Sequence, residues 1–238
     1  MSSHAEVIQE RNPRLYPRWT DSRYYGLTRL RRALENVIAN HVATLQNGGP
    51  KLIALDMGCG TRPYLSLLAP YAKYIGADLA DNSEADVVVD AVSGRVNLPN
   101  ESADVVLSTQ VLEHVQSPTA YVAEARRLCR PGGVLILSTH GYWQYHPDPT
   151  DYWRWTSDGL LKLLRDQGWQ PLEVTGILGF AAAAMSLMQD ALAPGVPEWL
   201  ETIYGVCMQQ AVGFLDYWYS PEERRENAAV FLTVSKRI

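Results

Sequence analysis

The sequence predicts an α/β fold, a mostly parallel sheet with helices packed on it, and two observations carry that expectation. Short apolar runs of strand length, rich in Val, Ile and Leu, recur along the chain and are apolar on both faces, the pattern of strands buried between layers. Stretches of helical periodicity separate them, so strands and helices alternate. A third observation narrows the function. One strand-to-helix junction is a two-glycine turn, Leu55-Asp56-Met57-Gly58-Cys59-Gly60-Thr61-Arg62-Pro63.

Length and composition agree with a globular chain. It has 238 residues, 47% hydrophobic and 20% charged, which excludes collagen, coiled coil and wholesale disorder and allows one domain with added elements. Lys plus Arg number 21 and Asp plus Glu 26, a net charge of −5 that argues against a general nucleic-acid binder. The three cysteines show no metal-ligand spacing and fit a reducing compartment. The N-terminus lacks the apolar core of a signal peptide, and Glu6 and Glu10 oppose a mitochondrial transit peptide. The longest uncharged apolar run, 174–189, is sixteen residues, short of a bilayer span. The expectation is a soluble cytoplasmic protein with no membrane partner.

Taken in order, residues 1–20 read as irregular and Arg-rich. Seven arginines fall by residue 32, at 11, 14, 18, 23, 29, 31 and 32, opposed by Glu6, Glu10 and Asp21. Tyr16, Trp19, Tyr24 and Tyr25 are interleaved with them. From Asp21 the pattern is helical: Leu27, Leu30, Leu34, Val37, Ile38 and Leu45 recur at helical steps until Asn47-Gly48-Gly49-Pro50. Residues 1–48 are therefore read as an N-terminal helical cap and 49–238 as the main domain. Strands are expected at 51–55, 74–77, 86–89, 104–108, 133–139, 171–178 and 228–235, with helices at 119–129 and 156–167 capped by Thr156 and stopped by Gly168. Only seven residues separate Asp78 from Asp86, too few for a helical crossover, so the third strand is expected to be a short edge strand or to lack its helix. A helical, apolar insertion at about 180–219, broken at Pro194-Gly195-Val196-Pro197, is expected before the last strand.

The glycine turn carries the chemistry. Two glycines two apart let the backbone turn tightly and let a ligand approach the main chain. The dinucleotide fingerprint wants a third glycine where this chain has Pro63, so a pyrophosphate and a dehydrogenase are disfavoured. Asp56, ahead of the first glycine, suits a cationic ligand. Asp78 ends the second strand, 22 residues after Asp56, where a carboxylate can accept both hydroxyls of a ribose. Asp90 follows the third strand, placed to accept from an adenine amino group.

These residues resemble class I S-adenosylmethionine-dependent methyltransferases, and most nearly the bacterial group that includes the quinone-biosynthesis methyltransferases. Asp56-x-Gly58-Cys59-Gly60-Thr61, Gly76-Ala77-Asp78-Leu79, Asp90-Ala91 with Leu98-Pro99, Asp104 through Val115 and Leu128-Cys129-Arg130-Pro131-Gly132-Gly133 match that family's motifs in order over about residues 50–170. The resemblance implies a Rossmann-like, mostly parallel seven-stranded sheet whose last strand is antiparallel. It implies S-adenosyl-L-methionine as cofactor. Asp56 and the turn Gly58, Cys59 and Gly60 would hold the methionine part, and Asp78 with Leu79 the ribose. Asp90 with Ala91 would border the adenine, and Gln110 would lie beside the sulfonium.

Ligands in an open α/β sheet meet at the carboxyl ends of the strands, which places the acceptor near 110–114 and 139–155. His140 is the first candidate base, then His146, with His114 third. Trp143, Tyr145 and Tyr152 are candidates for an aromatic wall, Asp151 and Arg154 for a polar grip on the acceptor or a tie within the loop. Tyr24 and Tyr25 of the cap are placed near the methyl group. Metal-dependent relatives, including small-RNA 2′-O-methyltransferases, carry Glu-x-x-Glu-His where this chain has Gln110-x-x-Glu113-His114, and no metal is expected because Gln is the poorer ligand. The reading is methyl transfer to oxygen or nitrogen, less readily carbon, of a small molecule in secondary metabolism or saccharide modification. A metal-assisted RNA 2′-O-methyltransferase and a non-catalytic cofactor-binding partner subunit stay open as alternatives. The insertion is read as lid, acceptor pocket or homodimer contact.

Overall fold

A computed structural model describes residues 12–238. Glu6, Glu10 and Arg11 lie outside the described residues. Seven strands, β1 (Leu52–Met57), β2 (Ala72–Asp78), β3 (Val87–Val88), β4 (Ala103–Thr109), β5 (Cys129–His140), β6 (Trp169–Gly179) and β7 (Ala228–Arg237), form one sheet in the order β3-β2-β1-β4-β5-β7-β6. The strands from β3 to β5 run parallel, and β7 lies antiparallel between β5 and β6. The strand order reverses between β1 and β4, the place where an open α/β sheet leaves a crevice at its carboxyl edge. β3 has two residues, as the short link after Asp78 requires.

Two apolar clusters cover the two sheet faces. Leu34, Val37, Val105, Ile136 and Leu232 belong to one, and Leu55, Val106, Leu128, Leu135 and Trp169 to the other. Neighbouring residues of β4 and β5 fall in opposite clusters, which is why their sequences read as unbroken apolar runs. The buried Trp169 indole donates to the Val122 carbonyl at 3.3 Å, so it adds apolar area without an unmade hydrogen bond.

Helix α1 (Tyr24–Val37) continues through a π turn, Ile38–Val42, into α2 (Ala43–Gln46), and ends at Asn47 with a left-handed φ of 42°. Leu30, Leu34, Val37 and Ile38 are buried as their spacing predicts, whereas Leu45 is exposed near the helix end. The helix expected after the glycine turn is one turn, α3 (Leu65–Leu68). Pro70 follows, and its missing N–H and ring stop a longer helix. Ser117 caps α4 (Pro118–Leu128) and Thr156 caps α5 (Ser157–Asp166), each accepting a backbone N–H.

The insertion between β6 and β7 is helical: α6 (Phe180–Leu192), two 3₁₀ turns (Ala193–Gly195, Glu198–Leu200), α7 (Glu201–Tyr217) and α8 (Pro221–Glu226). Buried polar groups hold it to the N-terminal segment. The Gln209 amide donates to the Ser22 carbonyl at 2.8 Å and accepts from the Tyr25 N–H at 2.8 Å. The buried Asp216 carboxylate accepts from the Gly179 N–H at 2.8 Å and from the Tyr25 hydroxyl at 3.3 Å, with Arg29 and Arg224 at 3.5 and 3.6 Å. Arg23 makes a two-pronged pair with Asp190, both contacts 2.8 Å. Among the described residues no helix is long and apolar enough to cross a membrane.

Candidate functional site

Two adjoining regions lie at the carboxyl edge of the sheet, on either side of the strand-order reversal. The first is the glycine turn after β1. Gly58 has a φ of 82°, and a Cβ there would sit 2.4 Å from a Val111 methyl, so glycine is required twice over. The Gly58 and Cys59 N–H groups both donate to the Ala77 carbonyl, at 2.8 and 3.2 Å. Asp78 locks the turn from the next strand. Its carboxylate accepts from the Gly60 N–H at 2.7 Å, the Leu79 N–H at 2.8 Å and the Asn82 amide at 2.8 Å. The Cys59 thiol is buried under Gly76, and burial, with the nearby Asp56 and Asp78 charges, pushes it up to about 12. It is a packing group, not a nucleophile.

Asp56 is buried, and its Oδ2 accepts from the Tyr74 hydroxyl at 2.5 Å. Among the described residues its Oδ1 is buried without a partner. Burial pushes the carboxyl up to about 7, the Tyr74 hydrogen bond pulling the other way. An unpaired buried carboxylate oxygen costs free energy until a donor reaches it. Tyr74 and Asn82 are hydrogen-bond partners of the candidate carboxylates that motif matching does not single out, because the motif names the carboxylates and not what holds them.

Asp90 and Ala91 are exposed after β3. The Asp90 carboxylate accepts from the Ser93 N–H and hydroxyl, both at 2.6 Å, which holds its carboxyl below the usual range. Its near partners are in its own turn.

The second region is a cavity of about 600 Å³ beside Gln110, the residue that follows β4, with a left-handed φ of 57°. Leu27, Leu30, Ile177, Leu178 and Val230 form apolar walls, and His140, Trp143 and His146 supply the chemistry. Gln110 donates to the Ser138 hydroxyl at 3.0 Å. His140, the last residue of β5, is buried and stacks on Trp143 with ring centres 5.1 Å apart. His140 Nε2 lies 3.4 Å from Glu113 Oε1, and the other Glu113 oxygen accepts from the Thr139 hydroxyl at 2.9 Å. Among the described residues His140 Nδ1 is buried and unpartnered. Burial pushes His140 down to about 2, aided by His146 and Arg154, and burial raises the fully enclosed Glu113. Both shifts have one cause, since a dry site disfavours charge on either partner. His140 is thus a neutral imidazole at physiological pH.

His146 stands perpendicular to His140 at 4.8 Å and 5.0 Å from His114. His114 Nδ1 meets the Thr150 carbonyl, which fixes the proton on Nδ1 and leaves the Nε2 lone pair free. One ligand atom each from Glu113, His114 and His146 fall within 4.8 Å of one another.

The remaining sequence candidates fall elsewhere. Asp151 and Arg154 pair with each other at 2.6 Å on both prongs, and Arg154 also donates to the Trp143 and Trp153 carbonyls at 3.0 and 2.8 Å. That pairing holds the Asp151 carboxyl well below the usual range and ties the loop under the cavity. Tyr145 and Tyr152 are 72% and 50% exposed and do not line the cavity. Nor do Tyr24 and Tyr25. The turn of α1 presents Arg23, Gly26, Leu27 and Leu30 to the cavity and directs Tyr25 to Asp216 on α7. Arg23, set 4.8 Å over the Trp143 ring, and Ser186 and Gln209 from the insertion line the cavity instead.

The sequence matches the family described as "Methyltransferase domain" over residues 28–174. It is 30% identical over 159 residues to thiol S-methyltransferase TMT1B of Homo sapiens, covering 56% of this chain and 63% of that protein. It is 30% identical over 158 residues to the ubiquinone biosynthesis O-methyltransferase of Roseobacter denitrificans, covering 52% and 62%. The chain thus spans about three-fifths of the length of these relatives, 63% and 62%. Among solved structures, an S-adenosylmethionine-dependent methyltransferase from Mesorhizobium loti superposes with a TM-score of 0.56 at 15% identity, covering 88% of this chain and 98% of that one. A geranyl diphosphate methyltransferase bound to its substrate and sinefungin superposes with a TM-score of 0.54 at 14% identity, covering 90% and 81%. These two likenesses are of fold.

Proposed function

Because the chain belongs to the methyltransferase-domain family, we propose that it transfers a methyl group from S-adenosyl-L-methionine to an oxygen or nitrogen of a small-molecule acceptor. The supporting observation is the placing of two complementary regions at the carboxyl edge of the sheet, after β1 and after β4: a carboxylate-rich glycine turn, and an apolar cavity lined by Gln110 and His140. Asp56 Oδ1 is the acceptor for the cofactor's α-ammonium, and Gly58, Cys59 and Gly60 let the methionine part lie against the main chain. Asp78 and Leu79 take the ribose, Asp90 and Ala91 border the adenine, and Gln110 borders the sulfonium.

In the reaction the bond from sulfur to methyl breaks as the acceptor lone pair bonds to carbon, and neutral S-adenosylhomocysteine leaves. The cavity aligns the acceptor and excludes water. His140 Nδ1 takes the acceptor's proton, and Glu113 beside Nε2 steadies the imidazolium that forms. The apolar walls and the Trp143 ring suit a planar or hydrophobic acceptor bearing a hydroxyl, as in secondary metabolism or a saccharide with an apolar part. The relatives named for thiol S-methylation and for ubiquinone-biosynthesis O-methylation support a small-molecule acceptor. The direct test is methyl transfer from radiolabelled cofactor to panels of aromatic and sugar hydroxyls. No turnover by a protein that binds the cofactor would favour a non-catalytic partner subunit.

The burial of Asp56 sets a pH dependence. Its carboxyl stands at about 7 in the free protein, and only the ionised form attracts the ammonium. Affinity for S-adenosylhomocysteine is therefore expected to rise as pH climbs to about 7, by up to about tenfold per pH unit, and then to level off. Tyr74→Phe removes the hydrogen bond that lowers this carboxyl, so its curve moves to higher pH. Calorimetric titrations across this range check both, and an affinity independent of pH would overturn the assignment.

The Glu113, His114 and His146 cluster favours a second reading, in which a divalent cation polarises the acceptor hydroxyl. The donors fit: a buried carboxylate oxygen without a hydrogen-bond partner and an imidazole whose Nε2 lone pair is free. Cation and imidazole compete for one atom, Glu113 Oε1. With Gln110 in place of a carboxylate, the His140 reading is preferred, and turnover is expected to survive exhaustive chelation. Activity lost to chelator and restored by Mn²⁺ or Zn²⁺ would favour the cation, and with it the metal-assisted 2′-O-methyltransferase.

A further inference from the structure

The surface of α7 is inverted. Its inward face carries Gly205, Gln209, Val212 and Asp216, all buried and two of them polar. Its outward face carries Ile203, Cys207, Gln210, Phe214 and Tyr217, every one exposed. Those five positions are spaced four, three, four and three residues apart. That alternation is the seam of a two-stranded coiled coil, in which each side chain enters a hole on a second helix. Trp199 extends the seam before the helix and Trp218 borders its end, and these two are 78% and 68% exposed. No charged residue occurs from 202 to 215, whereas a helix facing water ordinarily carries several.

We propose that this face is an isologous dimer interface, in which α7 pairs antiparallel with α7 of a second copy of this chain. Trp199, Phe214, Tyr217 and Trp218 together expose on the order of 600 Å² of aromatic surface. Ile203, 60% exposed, adds to it. The sum approaches the roughly 800 Å² each partner gives to a standard interface and exceeds what a monomer usually leaves in one patch. The heptad spacing selects a helix as occupant, and antiparallel pairing opposes the helix dipoles favourably. About a two-fold axis, Ile203 faces Tyr217 of the other copy and Cys207 faces Phe214. Gln210, the one amide in the seam, then meets its own counterpart on the axis, where a polar pair sets the register. A lipid surface is the poorer occupant. The face has no Lys or Arg between 202 and 215, and the chain's net charge is −5. Pairing also braces the cavity, since Gln209 and Asp216 on the opposite face hold Ser22, Tyr25 and Gly179.

Sedimentation velocity of the full chain tests this. The wild type is expected to run as a dimer at micromolar concentration, and Ile203→Glu and Phe214→Glu as folded monomers that still melt cooperatively, a few degrees below the dimer. Gln210→Cys in a Cys207→Ser background is expected to form an intermolecular disulfide under mild oxidation. A wild type that stays monomeric overturns the proposal. So does a dimer insensitive to both glutamates, or one that fails to cross-link at 210. Flotation of a monomeric wild type with phosphatidylcholine–phosphatidylglycerol vesicles would overturn it in favour of a lipid surface.

Discussion

Asp78→Ala is expected to lose saturable binding of S-adenosylhomocysteine. The wild-type carboxylate already accepts from the Gly60 and Leu79 N–H groups and from Asn82, which fixes its plane and leaves one of its roughly four lone-pair sites, on Oδ1, for a ligand. A ribose hydroxyl would add one hydrogen bond there, worth about 1.5–3 kcal/mol. Losing it weakens binding by roughly 10- to 100-fold. Truncation also strips the Gly60 N–H of its partner, so the turn that carries the methionine part loosens in the same variant. Asp78→Asn separates the two effects, since an amide keeps the volume but offers one accepting oxygen. Calorimetry on the three proteins, with thermal melts as the folding control, gives the answer. A folded Asp78→Ala protein of unchanged affinity would remove the ribose from this strand end.

His140→Gln is expected to lower kcat by about 100- to 10,000-fold, the range for loss of a positioned base, while affinity for S-adenosylhomocysteine stays unchanged. The separation of kcat from affinity follows from geometry. His140 lines the acceptor cavity, and the cofactor carboxylates stand on the neighbouring turn. Glutamine preserves much of the stacking volume against Trp143 but cannot accept a full proton. The same burial governs the pH profile. Because burial pushes His140 down to about 2, it stays neutral through the usual histidine range, and it accepts a proton in turnover only with Glu113 beside Nε2 to stabilise the imidazolium. At saturating cofactor, kcat should therefore show no acid limb near pH 6.5, the ordinary histidine value. Quench-flow single-turnover measurements isolate the methyl-transfer step. A glutamine variant with wild-type single-turnover rate would exclude proton transfer at His140.

Much of the fold is legible along the chain because its determinants are local. Gly58 must be glycine because of one backbone angle and one neighbouring methyl, and that need appears as spacing next to an apolar strand. The seven residues between Asp78 and Asp86 leave no room for a crossover helix, and β3 is a two-residue edge strand. Asp56 and Asp78 sit at strand ends, so their position in sequence gives their position in space. The cap and the acceptor side read less well. Tyr24 and Tyr25 look like substrate residues by composition, but one helical turn carries Arg23, Gly26 and Leu27 to the cavity and Tyr25 to α7. Asp151 and Arg154 read from sequence either as a polar grip on the acceptor or as a tie within the loop, and their mutual pairing makes the tie.

By itself, the sequence determined the sheet, the glycine turn and the carboxylates around it, since each depends on contacts between neighbouring residues or on strand periodicity. Tertiary structure alone decided which groups share the cavity. Ser186 and Gln209 reach it from an insertion more than forty residues beyond His140. Glu113 reaches His140 from a different strand exit, and α7 turns Gln209 and Asp216 inward to Ser22, Tyr25 and Gly179, which leaves an outward seam with Gln210 as its one amide. Burial then set the chemistry. The same water-excluded surroundings that keep His140 neutral push Asp56 up to about 7, and no local pattern of residues encodes how dry a site will be.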